Sequence, residues 1–273
     1  MSASSPAPVP ALRLPPKALI AMIHVAALPG TPGAALSPAK IARQAAAEAR
    51  VLASAGFDAL LIENMHDAPY IMGRQDPAIV ACMTACALAV KAAVPGLPLG
   101  VQVLATGNAE AVAIAHASGA EFVRCENFAF AHVADEGLMA TAEAGPLLRY
   151  RRLINAAGVA LVCDVKKKHA SHAITADVSL SQACHAAEFF GASGVIITGA
   201  HTGDPTSPDD LAQASEATAL PVWVGSGTSP ANVRAMLAHA DAIIVGSYIK
   251  RAGDWRAGPD PRRCKALLKA AGR

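Results

Sequence analysis

Two short stretches near the end of the chain are suited to gripping an anion. Val224-Gly225-Ser226-Gly227-Thr228-Ser229-Pro230-Ala231-Asn232 takes a β-branched run into small residues, and Asp241-Ala242-Ile243-Ile244-Val245-Gly246-Ser247 repeats the pattern. Each is followed by a helical pattern. Small residues let a phosphate approach backbone N–H groups closely, and a helix N-terminus adds a favourable dipole. Gly225, Ser226, Gly227, Thr228, Gly246 and Ser247 are therefore the predicted phosphate-binding residues. A second set of residues, at the ends of other apolar runs, carries groups fit for proton transfer. His24, Glu63, Arg124, Glu126, Asp164 and Lys168 are the candidate catalytic residues. Asn64, Asp67, Gln102, His169, Thr198, Gly199 and Thr202 stand beside them as candidate substrate-binding residues.

The chemistry of each admits a structural reading too. Glu63 follows Leu60-Leu61-Ile62, where burial would raise its pKa toward that of a general acid or base. It is equally placed to pair with Arg124 or a lysine. Asp164 ends Leu161-Val162-Cys163 and can pair with one of the lysines that follow it. His24 suits a proton shuttle, a phosphate donor or a hydrogen-bonded core histidine. Lys168 and His169 suit an anion, or the activation of a carbonyl as a Schiff base. Lys166 and Lys167 are expected to lie in solvated loop. Asp135-Glu136-Gly137 reads as a lid segment or a turn. A metal site assembled from His24, Glu63, Asp164 and His201 has no H-x-H or H-E-x-x-H pattern to support it. No cofactor is expected, with a weakly held Mg²⁺ beside a phosphate as the alternative.

These residues need a scaffold that brings strand ends together. From Ala18 onward, strand-like and helix-like patterns alternate eight times. The strands read Leu19–His24, Ala59–Asn64, Leu99–Leu104, Phe122–Glu126, Ala160–Val165, Val195–Thr198, Val222–Gly225 and Ala242–Gly246. Each is nearly continuous in apolar residues, as strands buried on both faces are. The Ala-rich helices read Pro38–Ala55, Gln75–Ala93, Asn108–Ser118, Pro146–Ala157, Ser179–Phe190, Pro208–Ala219, Pro230–His239 and Pro261–Ala271, several opening on proline. Gly/Ala phrases such as Ser118-Gly119-Ala120 mark the returns from helix to strand. The pattern predicts a single (β/α)8 barrel of the phosphate-binding type, residues 17–273, with the phosphate grip after strands 7 and 8. A doubly wound open sheet is the alternative, weakened by the lack of G-x-G-x-x-G after the first strand.

Length and composition agree with one large core. The chain has 273 residues, 53% of them hydrophobic, 16% charged and only 4% aromatic. A net charge of +2 argues against nucleic acid as a partner. Arg149-Tyr150-Arg151-Arg152 and Arg262-Arg263 read as solvated helix ends. No apolar run is long enough to span a membrane. Residues 1–16, rich in Ser, Ala and Pro, read as a flexible arm without the features of a secretory signal. The six cysteines form no C-x-x-C pair, and reduced thiols in a cytoplasmic protein are expected.

The phrases Met22-Ile23-His24-Val25-Ala26-Ala27-Leu28-Pro29-Gly30, Ile62-Glu63-Asn64-Met65-His66-Asp67-Ala68-Pro69-Tyr70, Asp164-Val165 with Lys168-His169-Ala170, Leu148-Arg149-Tyr150-Arg151, Thr198-Gly199 with Thr202-Gly203, and Val224-Gly225-Ser226-Gly227 carry a family resemblance. The chain resembles the BtpA (BtpA/SgcQ-like) family of TIM-barrel proteins. The resemblance implies a barrel and, in organisms that have one, a role in photosystem I biogenesis. It brings no known catalytic mechanism. Arg124-Cys125-Glu126-Asn127-Phe128 departs from the expected Arg-Val-Asn-Val type of phrase, which adds the Glu126 carboxylate at the mouth. The expected function is an enzyme acting on a small phosphorylated sugar or nucleotide-type metabolite, by isomerase, lyase or C–N cleavage chemistry. The alternatives are a non-catalytic biogenesis factor for a photosynthetic membrane complex and a phosphate-ligand sensor. The expected partners are that metabolite and further copies of the chain in a homo-oligomer.

Overall fold

A computed structural model describes residues 12–199 and 206–273. Eight strands form the barrel: β1 (Ala18–His24), β2 (Ala59–Glu63), β3 (Leu99–Gln102), β4 (Phe122–Cys125), β5 (Ala160–Val165), β6 (Gly194–Ile197), β7 (Val222–Val224) and β8 (Ala242–Val245). They pair in parallel and in chain order, and β8 closes onto β1 through Ala242 opposite Ala18. The helices that return the chain are α1 (Pro38–Ala55), α2 (Pro77–Ala93), α3 (Asn108–Ser118), α4 (Ala144–Leu153), α5 (Leu180–Phe189), α6 (Pro208–Ala217), α7 (Val233–His239) and α8 (Pro261–Ala270).

Local chemistry starts α1, α6 and α8 at the predicted prolines, whereas α2 starts at Pro77 and not at Gln75, and α4 at Ala144, two residues before Pro146. α1, α2, α6 and α8 open on proline. Side chains of Asp76, Ser207 and Asp260 accept first-turn N–H groups, and Ser179 forms a reciprocal capping box with Gln182. α7 is shorter than predicted and begins at Val233. Asn232 explains this: its Oδ1 accepts from Ser229 N at 2.8 Å and its Nδ2 donates to Gly227 O at 2.8 Å, holding a turn where helix would otherwise run. After β8 the chain makes 3₁₀ turns, Ser247–Ile249 and Arg251–Gly253, before α8.

Alternation along each strand splits the apolar residues into two cores. Outward residues such as Leu19, Ile62, Val101, Cys163 and Val245 meet the helices. Inward residues fill the barrel: Ile20, Met22, Leu61, Phe122, Val162, Ile196, Trp223 and Ile244. Gly100 sits opposite Phe122, whose ring occupies the space a side chain at Gly100 would need. Phe122 meets Trp223 edge-on, with centroids 5.5 Å apart. Leu12 and Leu14, within the segment read as a flexible arm, pack against this inner cluster instead. All six cysteines are free and buried. Among the described residues no helix is long and apolar enough to cross a membrane.

A small sheet sits over one side of the mouth. The loop after β4 forms a hairpin, His132–Ala134 against Gly137–Met139, with Asp135 and Glu136 at its tip. Ala170–Ser171, from the loop after β5, adds a third antiparallel strand. Of the two readings of Asp135-Glu136-Gly137, it is thus the turn of a hairpin that lies beside the cavity.

Candidate active site at the barrel mouth

The inward parity of the strands carries His24, Glu63, Gln102, Arg124 and Asp164 to the C-terminal mouth, and Glu126 follows one step beyond β4. All six are buried and line one cavity of about 690 Å³. The same cavity is lined by Gly225, Ser226, Gly227, Thr228, Gly246 and Ser247, with Gly246 beside His24 and Gly225 beside Arg124. Acid/base groups and small residues therefore share a single chamber.

The charged groups divide into engaged and unengaged. Arg124 donates from Nε and Nη2 to both Asp164 oxygens, at 2.8 and 2.9 Å. Asp164 thus pairs with the arginine and not with a following lysine, and Arg124 is committed to Asp164 more closely than to Glu63. Glu126 accepts from Lys167 Nζ at 2.8 Å and from Thr106 N at 2.9 Å. Burial alone would raise the Glu126 carboxyl, but Lys167 and these hydrogen bonds hold it below its usual value. Lys167, expected in solvated loop, is thereby drawn into the mouth.

Glu63 differs from these carboxylates. No hydrogen bond engages its side chain among the described residues. Burial pushes its pKa up to about 7, against the opposing pull of Arg124 and Lys168. His24 Nε2 lies 3.9 Å from Glu63 Oε2. His24 Nδ1 lies 2.8 Å from the Trp255 carbonyl oxygen. A carbonyl only accepts, so Nδ1 carries the proton and Nε2 presents a lone pair toward Glu63. Burial, reinforced by the Lys250 charge, pushes His24 down to about 3. The imidazole is neutral across the working range, and Glu63 is the group of this pair that exchanges a proton near neutrality.

Several predicted binding residues serve the scaffold. Asn64 Oδ1 accepts from Leu104 N at 2.7 Å, and Asn64 Nδ2 donates to Asp67 Oδ2 at 2.9 Å. Asp67 Oδ1 accepts from Leu28 N at 2.8 Å. The two side chains tie the loops after β1, β2 and β3 together and line a separate side pocket, not the main cavity. Thr198 lies beneath the mouth, where its Oγ1 accepts from Lys168 N at 2.9 Å. Gly199 N donates to Ser226 Oγ at 3.3 Å. His169 lines the cavity rim with Nδ1 3.7 Å from Asp135 Oδ2. Gln102 does face the cavity, and its buried Oε1 has no partner among the described residues, as does Thr228 Oγ1. Thr202 and His201 lie outside the described residues.

Tyr70, Tyr248, Trp255 and Arg263 also line the cavity, and the strand-end logic passes over all four. Arg263, read as a solvated helix end, turns back so that Nε donates to Tyr248 O at 2.6 Å and its guanidinium lies 4.3 Å from the Tyr248 ring centre. Trp255 was detectable only as one of two tryptophans, set among Gly, Asp and Arg after the last strand.

A closed parallel eight-stranded barrel with its polar side chains at the strand C-termini defines a (β/α)8-barrel protein. Solved structures of that class resemble it throughout their length. Thiamine phosphate pyrophosphorylase from Pyrococcus furiosus superposes with a TM-score of 0.58 at 13% identity, covering 94% of this chain and 95% of that one. Orotidine 5'-monophosphate decarboxylase from Methanocaldococcus jannaschii gives 0.58 at 12% identity, covering 94% and 100%. At such identities the likeness is one of fold. The chain belongs to the BtpA family, which it matches over residues 15–273. An uncharacterized mitochondrial protein of Caenorhabditis elegans is 40% identical over 91% of this chain and 90% of its own length. The photosystem I biogenesis protein BtpA of Synechocystis is 33% identical over 92% of this chain and 87% of its own length.

Proposed function

We propose that this protein is an enzyme that binds a small phosphorylated sugar or nucleotide-type metabolite and transforms it by acid/base chemistry, in the isomerase, lyase or C–N cleavage class. The observation that carries the reading is the composition of one cavity. Gly225–Thr228, Gly246 and Ser247 line it together with Glu63, His24, Arg124 and Lys168. Backbone N–H groups of the small residues suit a phosphate, which then fixes the rest of the molecule against the charged side chains. Glu63 takes or gives the proton, because burial places its pKa near 7. Neutral His24 presents Nε2 as an acceptor, and the Arg124–Asp164 ion pair is held rigidly beside it. The solved barrels that resemble this chain include proteins named for phosphate-bearing compounds, which agrees with the reading without deciding it.

A purely assembling role, as the name of the Synechocystis relative suggests for that protein, gives no use to a buried carboxyl that titrates near neutrality. The test is thermal unfolding in inorganic phosphate against chloride at equal ionic strength, followed by a panel of phosphorylated metabolites. Ligand binding to the native state raises Tm in proportion to ln(1 + [L]/Kd). A phosphate-specific rise that Gly227→Val removes supports the grip; no rise at any phosphate concentration overturns it.

A further inference from the structure

The cavity holds several cations, and their partners separate them. Arg124 is locked to Asp164, Lys167 to Glu126, and Arg263 donates to the Tyr248 carbonyl. Lys168 lines the same cavity, yet its Nζ has neither a carboxylate nor a hydrogen-bond acceptor among the described residues. Its backbone is held all the same: Lys168 N donates to Thr198 Oγ1 at 2.9 Å, at the end of β6. An amine anchored at its backbone and free at its tip is arranged differently from one that serves a structural ion pair.

Resting on the phosphate-grip reading above, we propose that Lys168 is a nucleophilic catalytic residue that forms an imine with a phosphorylated aldehyde or ketone, which makes carbonyl compounds the substrate class of this site. The neutral amine adds to the carbonyl carbon and the C=O π electrons become an alkoxide; the nitrogen, now positively charged, gives up one proton and the alkoxide takes one, which leaves a neutral carbinolamine. Loss of that oxygen as water, with one proton from an acid, leaves the iminium, and hydrolysis reverses the sequence. Glu63 is the acid and base available in the cavity for these proton transfers. The amine must be uncharged to attack, and burial, assisted by Arg124, pushes the Lys168 ammonium below its usual range. Lys167, its neighbour, is pushed the opposite way by Glu126 despite burial, so two adjacent lysines are prepared for opposite tasks.

The probe is pyridoxal 5'-phosphate, an aldehyde carrying a phosphate, trapped on the intact protein with borohydride and located by peptide mass spectrometry. The expected result is one reduced adduct, on Lys168, abolished by Lys168→Arg and suppressed by excess inorganic phosphate. Arginine keeps the charge but forms no such imine, and its thermal melt checks that the barrel still folds. Labelling that spreads over surface lysines, or that phosphate leaves unchanged, overturns the proposal. The phosphate-induced Tm rise measured on Lys168→Arg separates the two readings. If the rise persists while wild-type Lys168 takes no label, the imine fails and the phosphate grip stands. If both are absent, both fail.

Discussion

His24 and Glu63 stand opposite each other as the last register pair of β1 and β2, with His24 Nε2 3.9 Å from Glu63 Oε2. Their environments push both groups toward neutral forms: His24 down to about 3 and Glu63 up to about 7. The protein therefore keeps an unprotonated Nε2 facing a carboxyl that gains and loses its proton around neutral pH. Of the two, Glu63 is the group whose burial brings its proton exchange to near-neutral pH, and His24 is its uncharged neighbour.

Glu63→Gln keeps size and polarity and removes proton exchange. Turnover of a phosphorylated substrate is expected to fall about 10²–10⁴-fold, the usual worth of general acid/base catalysis. Phosphate affinity should stay within a few-fold, read from the phosphate-induced Tm rise. Full turnover in this variant would make Glu63 structural.

The same variant has a pH signature. Glu63 has its folded pKa raised to about 7 from 4.5, so the native state holds the proton more tightly and stability falls as pH rises through that window. The shift corresponds to about 3 kcal/mol. His24, lowered from 6.5 to about 3, works the other way: the unfolded state takes the proton first, and stability rises with pH over that range. Between about pH 4.5 and 6.5 the two slopes oppose each other. Glu63→Gln should therefore gain stability relative to wild type as pH climbs from 4.5 past 7, by up to about 3 kcal/mol. Urea titrations at a series of pH values measure it, and a pH-independent difference would contradict the raised Glu63 pKa.

Arg124→Ala leaves Asp164 as an unpaired buried charge. Breaking such a pair costs about 3–5 kcal/mol. The Arg124→Met, Asp164→Leu double variant should lose much less, because neither charge is stranded. Denaturant midpoints of the two variants give the comparison. Equal losses would mean that packing, not charge, dominates there.

Gly227 has φ +70°, a conformation that β-branched residues resist. Gly227→Val should weaken phosphate binding about tenfold or more, a cost of about 1.4 kcal/mol or above, while circular dichroism stays native. Unchanged phosphate titration would place the anion elsewhere.

Asp67→Ala removes the acceptor of Leu28 N and the partner of Asn64, both buried. Stability should drop by about 1–3 kcal/mol, the cost of an orphaned buried donor. Phosphate affinity should hardly move, since Asp67 lies off the main cavity. A large loss of binding with little loss of stability would restore Asp67 to the binding set.

The amino-acid order alone determined the alternation of strands and helices and the strand cores. Runs such as Leu60-Leu61-Ile62 and Leu161-Val162-Cys163 are apolar at every position, so period two says only that Glu63 shares a face with Leu61 and Asp164 with Val162, and the polar group at the strand's end marks that face as the one toward the mouth. The mouth and its small-residue lining were legible for that reason. The tertiary structure decided which charge meets which. Arg124 could face Glu63 or Asp164, and Lys167 and Lys168 differ by one position, yet closure of the barrel gives Asp164 to Arg124, Glu126 to Lys167 and leaves the Lys168 amine without an ion-pair partner among the described residues. It also turned Asn64 and Asp67 from ligand contacts into loop ties, and brought the Trp255 carbonyl, 231 positions away, onto His24. Ion pairs and hydrogen bonds depend on distances of a few ångströms between side chains whose separation along the chain carries no periodic signal. Only the closed sheet sets those distances.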